Sequence, residues 1–156
     1  MEVYTVCFFG HRDIYNLRLI DKKLTPIIEE LIRKKSYVSF IIGRMGDFDE
    51  YAASVIKGVQ RRLGKENNEL MLVLPYPLAR IEDYEKYYDS IIIPESIGRT
   101  HPKRAISLKN RWMIEQADLV VLYVEKTNGG AYSAMRYAQK LGKPILNIAI
   151  SDNEEE

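Results

Sequence analysis

Four segments of the chain combine residue types that bind anions. Gly10-His11-Arg12-Asp13 closes an apolar run, and a glycine that lets the backbone turn, followed by an imidazole and a guanidinium, could hold a phosphate. A tight turn with Arg12 paired to Asp13 would explain the same residues. Gly43-Arg44-Met45-Gly46 offers two glycines for close backbone approach and a guanidinium clamp. The carboxylates beside it, Asp47, Asp49 and Glu50, suit the capping and dipole of a first helical turn, with a ribose hydroxyl at Asp47 or Glu50 as the functional alternative. Residues 96–114 hold Arg99, Lys103, Arg104, Lys109 and Arg111 without one Asp or Glu. Arg104 and Arg111 are seven apart, share a helix face and would reach one anion together; the bland counterpart is a solvated basic face. Thr127-Asn128-Gly129-Gly130-Ala131 opens a helix and turns its backbone N–H groups toward whatever lies in front of it. Ser133 has no basic partner nearby, so it reads as a capping or phosphate contact rather than a nucleophile.

The elements that must position these segments alternate in kind. Residues 3–9, 37–42, 70–74, 91–93, 119–124 and 144–148 are apolar, often β-branched runs that read as buried strands. Between them lie helical stripes: Leu17, Ile20, Leu24, Ile27, Ile28 and Leu31 in the first, then Phe48, Ala52, Val55, Ile56, Val59 and Leu63. Pro26 predicts a kink or a shifted start in the first helix. A short helix is expected over 81–88, one over 102–116 with Ala105, Leu108 and Trp112 inward, and one over 131–141. Strands apolar throughout, alternating with amphipathic helices, predict an α/β fold: a Rossmann-like, doubly wound, mainly parallel sheet with helices on both faces. Residues 1–150 form one domain in this reading, followed by a disordered acidic tail at 151–156.

Composition narrows the classes. The 156 residues carry a formal charge of +1 with 46% hydrophobic residues, the balance of a folded globular chain without a global field for a polyanion. A nucleic-acid partner is on that ground not expected, and any anion site must be local. One cysteine, Cys7, and two histidines leave no disulfide framework and no metal site. Residues 3–9 are too short for a secretory core and no later run reaches membrane length, so the expectation is a cytoplasmic protein with no membrane partner.

Cys7-Phe8-Phe9-Gly10-His11-Arg12, Asn110-Arg111-Trp112-Met113-Ile114 and Gly129-Gly130-Ala131, in that order, resemble the YpsA-like family of the SLOG superfamily, which also contains DprA and the LOG phosphoribohydrolases. The resemblance spans nearly the whole chain. It implies a Rossmann-like domain whose glycine loops bind a nucleotide or nucleotide-sugar, and it adds Asn110 to the ligand-binding candidates Gly10, His11, Arg12, Gly43, Arg44, Gly46, Arg104, Arg111, Gly129, Gly130 and Ser133. Related members also point to a homodimer. LOG enzymes cleave an N-glycosidic bond with a Gly-Gly-x-Gly-Thr-x-x-Glu motif; here Tyr132 replaces the third glycine, Ser133 the threonine, and Arg136 the glutamate. A guanidinium cannot act as that general base, so no catalytic residue is assigned.

The leading expectation is a domain that binds or senses a small nucleotide-like ligand, carrying a bound nucleotide and no further cofactor. Two alternatives stand beside it: a hydrolase of nucleotide derivatives using Asp47, Asp49 or Glu50, and a DprA-like binder of single-stranded DNA, which needs a continuous basic groove with stacking aromatics.

Overall fold

A computed structural model describes residues 2–150, so the tail expected at 151–156 lies outside the described residues. Six strands, β1 (Val3–Gly10), β2 (Tyr37–Ile42), β3 (Asn68–Val73), β4 (Ser90–Ile92), β5 (Leu119–Tyr123) and β6 (Ile145–Asn147), pair in the order β4-β3-β2-β1-β5-β6. Every pairing is parallel. Five helices connect them: α1 (Leu17–Lys34), α2 (Asp47–Leu63), α3 (Ile81–Tyr87), α4 (Pro102–Gln116) and α5 (Gly130–Lys140). The expected doubly wound α/β architecture is the one found, with strand limits moved by a residue or two.

The pleat explains why the strands are apolar throughout. Val6 and Phe8 of β1 enter the core that α1 and α2 cover, while Cys7 and Phe9 enter the core that α4 and α5 cover. Both faces are buried, so neither side of β1 is free to be polar. Pro26 does not shift the start of α1, which runs from Leu17 through it to Lys34. Leu24 and Ile28, fully buried on either side of the proline, hold the helix onto the sheet across the missing N–H.

In α4 the inward stripe is Ala105, Lys109, Met113 and Ile114, one step round the helix from the expected Ala105, Leu108 and Trp112. Leu108 and Trp112 are half-buried and a lysine occupies the core position.

The chain runs outward from β1 to β4 and then returns to place β5 against the other edge of β1. Gly10 pairs with Tyr123 at the carboxyl end of this junction. A crevice opens there because the connections leave the two strands toward opposite faces of the sheet.

Candidate functional site

The loop after β1 is held by the start of α2. A Cβ on Gly10 would overlap the Phe48 ring. Gly46 approaches so closely that a Cβ there would lie 2.5 Å from the Arg12 Cα. The Asp47 N–H donates to the Arg12 carbonyl at 2.8 Å, and the Asp47 carboxylate accepts the Ile14 N–H at 3.1 Å. Gly46 and Asp47 therefore dock one loop on another, and neither lines the crevice between β1 and β5.

His11 has a role that its residue type concealed. Its Nε2 accepts the backbone N–H of Glu125 at 2.9 Å and of Lys126 at 3.2 Å, and its ring meets Tyr123 edge-on at 6.3 Å. A nitrogen that accepts two N–H groups is unprotonated, and burial followed by the nearby Lys126 charge holds the imidazole below its ordinary range. Through Nε2, His11 latches the loop after β5, while its ring also lines the crevice. Tyr123 donates its hydroxyl to Glu125 at 2.6 Å, and burial together with that carboxylate pushes the phenol up to about 12.

After β2 the candidates separate. Gly43 faces the crevice. Arg44 turns away, its guanidinium 4.8 Å from the Tyr84 ring and 3.6 Å from Glu50, beside a smaller cavity lined by Pro75, Tyr76 and Leu78. Glu50 is thereby engaged outside the crevice as well. Asp49, 8% exposed, accepts the Met45 N–H at 2.9 Å and lines the crevice with Lys109, which is 1% exposed. Burial pushes the Asp49 carboxyl up and the Lys109 amine down, each opposed by the other's charge.

The crevice is a cavity of about 410 Å³ into which Gly10, His11, Arg12, Gly43, Asn110, Gly129 and Gly130 all face. The three segments that carry the family resemblance thus meet in space. Helix α5 begins here with Gly129 as its N-cap, which has no side chain to close the helix end and sits at φ +90°, a conformation that favours glycine. Its first N–H groups accordingly have no side-chain cap. A second cavity of about 490 Å³ adjoins it and shares Arg12, Asn110 and Gly130. Lys103, Ser107, Arg111, Ser133 and Tyr137 complete its polar wall, and among the described residues no acidic side chain lines it. Arg111 stacks on the Tyr137 ring at 5.1 Å. Arg104 faces neither cavity; Lys103 takes the place expected for it. The Asn110 Oδ1 is buried and has no hydrogen-bond partner among the described residues.

Sequence reasoning missed Lys109, Lys103, Lys126 and Asn128. The first stood only as one cation of the basic segment, although its spacing of four from Ala105 and Met113 marks an inward position. Of the three carboxylates weighed for hydrolysis, only Asp49 reaches the crevice. Arg136, at the LOG glutamate position, is exposed and donates to Gln139 at 3.2 Å. Among the described residues no group of three His, Cys, Asp or Glu side chains could hold a metal ion, and no helix is long and apolar enough to cross a membrane.

No protein-family model matches the chain, and no curated protein matches it. Among solved structures it is similar to DNA processing protein A from Helicobacter pylori, a structure described for its single-stranded DNA binding mode. The TM-score is 0.63 at 18% sequence identity, over 91% of this chain and 63% of that one. The chain thus spans less than two thirds of its neighbour, and the likeness is one of fold. It agrees with the Rossmann-like fold expected from the strand and helix pattern. It also corrects the expectation that set nucleic acid aside, because a protein of this fold binds single-stranded DNA. The physical flaw in that expectation was averaging: a charge of +1 over the whole chain coexists with a cavity where Arg12, Lys103 and Arg111 gather without an acid. By fold, this chain is similar to DNA processing protein A.

Proposed function

We propose that the crevice binds nucleotide phosphates and that its ligand is single-stranded nucleic acid. The observation that carries this reading is the continuity of the two cavities. A glycine-walled cleft at an uncapped helix N-terminus suits one phosphate, and the acid-free cavity beside it, joined through Arg12 and Asn110, extends the track to the next. Arg111 and Tyr137 add a flat cationic and aromatic surface for stacking. The fold likeness to a binder of single-stranded DNA supports the same reading.

A second reading, a free nucleotide or nucleotide-sugar without turnover, is favoured by the meeting of the YpsA-like segments in the first cavity. Two measurements separate the readings. Fluorescence anisotropy with a labelled oligothymidylate is expected to show binding that weakens with salt, with a log–log slope of about −2 or steeper, ~0.7 from each of Arg12, Lys103 and Arg111. Thermal shift with AMP, ADP and ADP-ribose tests the alternative; at about 100-fold excess over Kd a bound nucleotide adds ~2.7 kcal/mol, or roughly 5–10 °C in Tm. Oligonucleotide binding without a mononucleotide shift supports the first reading, the reverse supports the second, and neither signal overturns both.

A further inference from the structure

Resting on that reading, we propose that Lys109 is a ligand-binding residue: its ammonium forms the cationic floor of the crevice and contacts a phosphate oxygen, with Asp49 as its resting counter-charge. The case starts from burial. Lys109 is 1% exposed and stands in line with Ala105 and Met113 on the inward face of α4, where an apolar side chain would be expected. No carboxylate lies within ion-pair distance of its amine, and no hydrogen bond to it is formed among the described residues. Asp49, the nearest acid by its electrostatic effect, spends one oxygen on the Met45 N–H. Burying an amine without a hydrogen-bonded partner is unfavourable, so its retention in a core position calls for an occupant.

Gly43 supplies independent support. Its φ lies outside the positive region that favours glycine, so the backbone there does not call for that residue. A Cβ at Gly43 would instead fall 2.6 Å from the Lys109 Nζ and 3.4 Å from the Asp49 Oδ2. The missing side chain makes room for the amine at the mouth of β2. Arg12 and Lys126 line the same cavity from the loops after β1 and β5, so a phosphate held there meets cations from three elements.

The test uses Lys109→Met, which keeps length and apolar bulk, and the double variant Asp49→Asn/Lys109→Met, which removes both buried charges while an amide oxygen still accepts the Met45 N–H. Without ligand, the double variant is expected to melt at or above the wild type. Its affinity for the oligothymidylate or the mononucleotide, whichever the wild type binds, is expected to fall at least about ten-fold, and for the oligothymidylate the salt slope is expected to shrink by about 0.7. A double variant that binds as the wild type does overturns this proposal and leaves the nucleotide reading standing. One that melts far below the wild type with unchanged affinity makes the pair structural and overturns it too. A wild type that binds neither probe removes both.

Discussion

Protonating His11 should release the loop after β5, because the same nitrogen cannot accept two N–H groups and carry a proton. In His11→Ala, the Glu125 and Lys126 N–H groups lose their acceptor. Each such hydrogen bond is worth ~0.5–1.5 kcal/mol net, and the half-exposed ring lets water take over part of the work, so the loss should be about 1–2 kcal/mol. That corresponds to a Tm lower by roughly 2–8 °C for a chain of this size. The pH dependence follows from the direction of the shift. The folded-state value lies below the ordinary 6.5, so the contribution is complete above that value and is lost as pH falls through the folded pKa. Urea denaturation of the wild type and His11→Ala at about pH 8 and about pH 5 measures it, since all other titrations cancel in the difference. The difference should be full at the higher pH and much reduced at the lower. Equal differences at both would refute the acceptor role of Nε2 and with it the neutral tautomer.

Three further outcomes are expected. Gly129→Ala should lose about 1 kcal/mol or more because of its φ of +90°, whereas Gly130→Ala, with nothing within 4 Å of the new Cβ, should keep wild-type stability while weakening ligand binding; thermal melts paired with anisotropy check both. Arg111→Ala should reduce the salt slope for an oligonucleotide by about 0.7 and Arg104→Ala should leave it unchanged, since only Arg111 lines a cavity; equal slopes would reduce the basic segment to a solvated face. Asp89→Asn should destabilise the protein at neutral pH and the effect should fade in acid. Burial raises this carboxyl, but hydrogen bonds from Lys65, the Leu70 N–H and Gln60 outweigh it and hold the value below 3.8, so its contribution is present above 3.8 and lost as pH falls through the folded pKa. An acid titration of stability that is the same in both proteins would contradict this.

Much of the architecture was legible because it rests on local pattern. Strands such as Tyr37–Ile42 announce burial on both faces, and the period of α1 and α2 places their stripes. That Gly10, Gly43 and Gly129 would gather at one end of the sheet followed from parallel strands alone, since each glycine comes after a strand running in the same sense.

Side-chain role was a different matter, because it depends on partners that are distant in sequence. His11 reads as a donor until Glu125 and Lys126, over a hundred residues on, present their N–H groups to it. Arg44 and Arg12 are the same residue type after equivalent strands, yet Tyr84 and Glu50 draw one away while the start of α2 fixes the other in the crevice. Lys109 was disguised by its charge: composition sends a lysine to the surface, and only the packing of α4 against the sheet, with Asp49 and the gap at Gly43 beside it, decides that this one is inside. Periodicity is carried by the chain, but the field and the space around a side chain belong to the fold, and those set what the residue can bind.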